Sequence, residues 1–149
     1  MAGVEQGVVP MVSYEDAARA LTWLSDVFGF VETQRLVDGQ DRVIHAQMST
    51  PHGIVMLASP SPSYVSPQHH REYCEIARTS SEVPWVIDGV LVYVDDLEDH
   101  YERAANKGVV LLSSIEESPF GRLYRTEDLE GHRWMFMQAA DNAPDDTAG

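Results

Sequence analysis

Cysteine is nearly absent, with Cys74 the only one in the chain. A disulfide framework within the chain is therefore excluded, and the usage fits a reducing compartment. Basic residues are scarce: 10 Lys and Arg stand against 24 Asp and Glu, a formal charge of −14. Such a surface repels phosphate backbones, which argues against nucleic acid as a partner. It attracts cationic partners or small cationic ligands, with plain solubility as the simpler reading. Long apolar runs are missing too, and nothing approaches the ~18 residues a membrane span needs. The start, Met1-Ala2-Gly3-Val4-Glu5-Gln6-Gly7-Val8-Val9, has no basic region followed by an apolar one, so no signal peptide is read there. A cytoplasmic location is the expectation. Residues 140–149 are acidic and carry no apolar anchor, which predicts a disordered tail. Met1–Gln6 is expected to fray.

What is present is a core and a repeat. The chain has 149 residues, 44% of them hydrophobic, enough for one domain with a buried interior. Val8–Val12 is an apolar, β-rich run, followed by the helix-start signal Ser13-Tyr14-Glu15-Asp16. Ala17, Ala20, Leu21, Leu24 and Phe28 then recur at helical spacing, and Gly29 stands at the exit. The same grammar returns about 80 residues later. Val90–Val94 is the strand, Asp95-Asp96 starts the helix, and Leu97, Tyr101, Ala104 and Ala105 make its apolar stripe. Lys107-Gly108 ends it, as Phe28-Gly29 ends the first.

Each helix precedes three strand candidates. They are Glu32–Val37, Arg42–Met48 and Ile54–Ala58 in the first half, and Val109–Ser113, Arg122–Thr126 and Arg133–Gln138 in the second. Asp38-Gly39, Pro51-His52-Gly53, Pro119-Phe120-Gly121 and Glu130-Gly131 supply turns. The order is βαβββ twice: residues 7–58, a connecting segment over 59–87, and residues 88–139. The expected architecture is α+β, with eight strands in two curved mixed sheets around a cleft and two main helices on the outer faces. A connector of this length inside a small domain is often functional, and Glu72–Arg78 is a candidate short helix within it.

This paired βαβββ pattern resembles the vicinal-oxygen-chelate superfamily of glyoxalases, bleomycin-resistance proteins and extradiol dioxygenases. Gly121-Arg122-Leu123-Tyr124-Arg125-Thr126-Glu127-Asp128-Leu129-Glu130-Gly131-His132-Arg133-Trp134 resembles that family's closing strand–turn–strand, with Leu129 where a proline is usual. Pro10-Met11-Val12-Ser13-Tyr14-Glu15-Asp16 and Phe28-Gly29-Phe30 resemble its PhnB-like branch. The resemblance implies a homodimer. It also implies, in the metal enzymes, one ligand on the first and last strand of each module. Those positions fall at Pro10, Met56, Val90 and Met135. Proline and valine have no donor atom, and a thioether is a poor ligand for zinc, nickel, magnesium or iron. A shift of one residue brings in Met11, Leu91 and other side chains that serve no better. No metal and no cofactor are therefore expected. The nearer analogue is the metal-free branch, which includes antibiotic-sequestering proteins.

The polar candidates are fewer. His45 and Gln47 alternate with Ile44, Ala46 and Met48, and with Val43 they face either the cleft or solvent. Arg125 and Arg133 lie on the last two strands, where Arg133, Met135 and Met137 should face the cleft and Trp134 and Phe136 the helices. Trp85 stands either at a pocket rim or against a sheet edge. Trp23 reads as core. His69 and His70 read as an exposed loop, His52 and His132 as turn residues, and His100 as a surface partner of Asp96 four residues back. The reading is a metal-free binder of a small organic molecule, cationic or aromatic, whose site is Pro10, His45, Gln47, Met56, Trp85, Val90, Arg125, Arg133 and Met135. The alternative is a metal-dependent lyase, isomerase or dioxygenase with its ligands elsewhere.

Overall fold

Chain order follows the repeat. The first module is β1 (Met11–Ser13), α1 (Ala17–Phe28), β2 (Val31–Val37), β3 (Val43–Thr50) and β4 (Gly53–Ala58). The connector carries α2 (Pro67–Tyr73) and α3 (Glu75–Ser80). The second module is β5 (Gly89–Tyr93), α4 (Leu97–Asn106), β6 (Val110–Leu111), β7 (Glu116–Ser118), β8 (Gly121–Glu127) and β9 (Arg133–Ala139). This computed structural model describes residues 6–83 and 88–141. The expectations for Trp85, for the chain start before residue 6 and for the tail beyond residue 141 lie outside that range.

The sheets share one topology. Their orders are β1-β4-β3-β2 and β5-β9-β8-β6, with the first strand of each module parallel to the last and β7 paired to β8. Nine strands are described where eight were expected. The expected strand Val109–Ser113 shrinks to two residues because the amides of Leu112 and Ser113 both donate to the carbonyl of Arg125. That turn ends β6, and β7 takes over as neighbour of β8. The connector holds two short helices rather than one over Glu72–Arg78.

The helix caps are local and matched. Asp16 accepts from the Arg19 amide and Asp96 from the Asp99 amide, so the last residue of each start signal is the cap and the helices begin at Ala17 and Leu97. Gly29 closes α1 in the left-handed region at φ 76°. The stripe Ala17, Ala20, Leu21, Leu24, Val27 and Phe28 is buried. It packs on the inward-facing residues of both sheets: Phe28 meets Phe136 at 4.7 Å and Trp134 at 5.8 Å, and Phe30 meets Trp134 at 5.5 Å. Edge-to-face pairs of this kind add about 0.5–1.5 kcal/mol each beyond the area they bury. Trp23 packs half-buried against this same core.

Two expectations fail here. His100 is not a surface partner of Asp96. It is half-buried against Phe136 at 4.0 Å, with Nε2 donating to the Phe28 carbonyl (3.0 Å) and Nδ1 accepting from the Tyr124 hydroxyl (2.6 Å). Asp96 is occupied as the cap. Val43 does not share a face with His45 but is buried in the core. The pairing steps from Leu36↔His45 to Val37↔Val43, and this bulge at Ile44 reverses the alternation.

Candidate functional site

Two junctions set the sheets edge to edge. At one, His132 Nε2 donates to the Ser13 carbonyl (2.6 Å), at the end of β1 and just before β9. At the other, His52 Nε2 meets Asp95 Oδ1 (2.8 Å), beside the start of β4 and just past β5. The end of β1 thus lies by the start of β5, and the reverse holds at the other junction. Edge strands β1 and β5 therefore run antiparallel along a central seam. Both helices share one core on one side of the sheets. The opposite faces form one surface within a single chain, open along the seam and over the first sheet but covered at Leu123, Glu127, Arg133 and Met137 of β8 and β9.

Cross-strand partners share a face, which lists that surface row by row. Gln34, Gln47, Met56 and Met11 make one row of the first sheet; Leu36, His45, Ala58 and Ser13 make the next. Leu91, Met135 and Arg125 make the facing row of the second sheet, flanked by Tyr93, Met137 and Leu123 and by Gly89, Arg133 and Glu127. Met11 is 68% exposed and Leu91 46%. The centre of this face, the trough, therefore has a floor of thioethers and aliphatic carbons that runs beside the seam.

The junctions differ in how tightly they close. At the His132 end, Asp128 Oδ2 accepts from the Tyr14 hydroxyl (2.6 Å) and the Trp134 indole (2.9 Å), while Oδ1 accepts from the amides of Glu130 and His132. Glu130 accepts from the amides of Glu15 (2.6 Å) and Asp16 (3.1 Å) at the start of α1. Burial raises the Glu130 carboxyl above its usual range, opposed by those amides. Burial, with Asp128 beside it, raises Tyr14 strongly, and burial pushes Tyr64 nearby up to about 12. The Ser66 hydroxyl and His69 lower Glu15. At the His52 end the junction is a single exposed pair. There the seam opens into a cleft of about 170 Å³ lined by Pro10, His52, Ile54, Leu91 and Tyr93. It adjoins, at His52 and Tyr93, a depression of about 440 Å³ reaching Asp95 and Ala139. The trough has one sealed end and one mouth.

The nominated residues divide. Met56, Met135, His45, Gln47, Arg125 and Arg133 stand on this face. Pro10 lines the seam cleft but precedes β1, and it is Met11 that pairs with Met56. Val90 lines the same cleft while packing against the core, and it is Leu91 that pairs with Met135. Arg125 binds Glu116 through Nη1 (2.9 Å), and its buried Nε has no partner among the described residues. Arg133 is buried; its two Nη atoms donate to the carbonyls of Ser81 and Val83. His69 and His70 lie on α2 rather than in a loop, and His69 pairs with Glu15 at 2.7 Å. Met11, Leu91, Tyr93 and His52 were missed. Exposed aliphatics in strands were the available signal, hidden by a register one residue off that set Pro10 and Val90 beside Met56 and Met135.

A metal does not fit this surface. The quartet at its centre is Met11, Met56, Leu91 and Met135, two parallel strand pairs facing across the seam. It offers three thioethers and an aliphatic group, a poor donor set for hard or borderline cations. Among the described residues no group of three His, Cys, Asp or Glu side chains converges anywhere. Nor is any described helix long and apolar enough to cross a membrane.

Comparison with known proteins follows the same line. The model of the Glyoxalase/Bleomycin resistance protein/Dioxygenase superfamily matches residues 8–136. The crystal structure of TioX from Micromonospora sp. ML1 is 28% identical, with a TM-score of 0.66 over 93% of this chain and 99% of that one. TnmS3, an antibiotic binding protein from Streptomyces sp. CB03234, shares the fold at a TM-score of 0.60 and 16% identity, over 93% of this chain and 100% of its own. An uncharacterized protein of Mycobacterium bovis is 26% identical over 140 residues, 91% of this chain and 84% of that protein. With most of its length matched, the chain belongs to the glyoxalase/bleomycin resistance protein/dioxygenase superfamily.

Proposed function

We propose that this chain is a small-molecule-binding protein that takes an apolar, partly aromatic organic molecule into the trough without a metal, and holds it rather than transforms it. The observation that carries this reading is the central quartet of Met11, Met56, Leu91 and Met135. Thioethers adapt to irregular apolar shapes, and an apolar surface with a few polar groups suits capture by burial. The seam cleft alone, about 170 Å³, is small for a ligand, since ligand sites usually span about 300–1,000 Å³. The adjoining depression extends it, and Tyr93 at the join offers an aromatic face. The net charge of −14 favours cationic groups on the ligand's solvent side. The open trough also supports a homodimer, in which a second copy covers exposed Met11, Leu91 and Tyr93. Cytoplasmic action goes with the single cysteine. TnmS3 is alike in fold, so antibiotics are the first class of compound to try.

The test uses an uncharged fluorescent probe, N-phenyl-1-naphthylamine. It should bind the wild type, and Met56→Glu or Met135→Glu should weaken binding about tenfold or more by placing a carboxylate against it, with circular dichroism unchanged. Thr22→Glu, on the exposed side of α1, adds the same charge and should leave binding alone. Equal binding by wild type and both methionine variants would refute the proposal.

A further inference from the structure

The connector is fastened by polar contacts, not by packing. α2 and α3 bury none of their side chains, and helices of seven and six residues do not persist alone in water. Their anchors are few. The Gln68 amide donates to the Glu130 carbonyl (3.0 Å), His69 meets Glu15, and Arg71 grips the Glu127 carboxylate through both Nη atoms (3.1 and 3.0 Å). At the far end, the carbonyls of Ser81 and Val83 sit on the two Nη atoms of Arg133.

Arg133 and Glu127 are cross-strand partners on the trough face, with side chains only 6% and 8% exposed and 3.4 Å apart. Among the described residues, Glu127 is the sole acid in ion-pair reach of either Arg133 or Arg71. Two guanidiniums thus share one carboxylate, which leaves one positive charge in excess at a buried position. Backbone carbonyls supply only partial negative charge. A buried guanidinium is poorly compensated without an anion, and a planar oxygen pair is the geometry it binds best.

We propose that Arg133, backed by Arg71, is a subsite for an anionic oxygen group, a carboxylate or sulfonate, at the sealed end of the trough. The strap Ser66–Val83 fills it in the present state, with two carbonyl oxygens standing where the ligand's oxygens bind. Ligand entry displaces only the Ser81–Val83 end from Arg133, while α2 stays docked and keeps Arg71 on Glu127. The inference rests on the trough being the binding surface.

Two probes with nearly the same aromatic body separate the claims: 8-anilinonaphthalene-1-sulfonate carries a sulfonate, and N-phenyl-1-naphthylamine does not. The wild type should bind the sulfonate at least as tightly as the neutral probe, despite its negative charge. R133Q should lose roughly tenfold for the sulfonate and stay within about twofold for the neutral probe. Because Arg133 is buried, R133K, which keeps the charge but not the paired donors, and R71Q are read alongside it; both should move the same way. Hydrogen exchange at the amides of residues 75–83 should quicken with the sulfonate probe and not with the neutral one. An unchanged preference between the probes in all three variants, or strap amides indifferent to the sulfonate, would overturn the subsite. Insensitivity of the neutral probe to Met56→Glu would instead overturn the trough reading on which it rests.

Discussion

Asp128→Ala should uncouple the two modules at their sealed junction. The carboxylate accepts four hydrogen bonds, two of them from donors with almost no solvent access: the Tyr14 hydroxyl and the Trp134 indole. The two turn amides sit where water can replace the lost oxygen on the half-buried His132 side. Tyr14 and Trp134 cannot be resolvated in place. Leaving a buried donor unmet costs about 1–3 kcal/mol, so the pair sets a loss of about 3–5 kcal/mol. That is a large part of the ~5–15 kcal/mol that holds a domain of this size. Asp128→Asn should lose less. Its oxygen can keep the turn amides, and its amide can donate to the Tyr14 hydroxyl, but the indole, which only donates, stays unmet. The assay is urea unfolding followed by far-ultraviolet circular dichroism, in a cycle with Tyr14→Phe. Tyr14→Phe should cost about 2 kcal/mol in the wild type and little in Asp128→Ala, a coupling well above the ~0.5 kcal/mol expected of independent sites. Additive losses, or an Asp128→Ala within about 1 kcal/mol of wild type, would refute the account of the junction.

Burial holds His100 at about 4, below the ordinary value of 6.5. The unfolded chain then binds the proton first, so stability is full above about pH 6.5 and falls by roughly 3 kcal/mol toward pH 4; denaturant unfolding of His100→Gln should lack that part of the pH slope. Gly131→Ala should loosen the connector, since φ is +88° and an added Cβ would stand 2.9 Å from the Gln68 amide nitrogen. Faster hydrogen exchange over residues 66–83, with a stability loss of about 1–2 kcal/mol, is the readout. Light scattering should report twice the 16.6 kDa chain mass; a monomer across a wide concentration range would exclude the dimer. Elemental analysis of purified protein should find no stoichiometric zinc, nickel, iron or manganese.

The repeat was legible because each module obeys local rules: helical spacing ending in a glycine, then alternating strands between turn residues. What escaped depended on contacts far along the chain. Val8–Pro10 has the composition of a strand, yet the Gln6 side chain takes the ladder there by pairing with the Ile54 amide and carbonyl, so β1 starts only at Met11. That offset puts Met11 rather than Pro10 beside Met56. His100 has a plausible partner in Asp96 on its own helix, but its true partners come from α1 and β8. No local pattern announces a carbonyl contributed 72 residues earlier. Arg133 was legible as a strand residue facing the trough; its occupation by the connector was not, because the turn geometry at Ser81–Val83 leaves no mark in composition.

The methionines allow the central claim to be measured directly. With methyl-labelled methionine, N-phenyl-1-naphthylamine should shift the signals of Met11, Met56 and Met135 on the trough floor. Met48 is fully buried on the opposite face of the same sheet and should stay fixed as an internal reference. Shifts at Met11, Met56 and Met135 that saturate together, with Met48 still, are the predicted result. Binding that leaves all three unmoved, or moves Met48 alone, would contradict it.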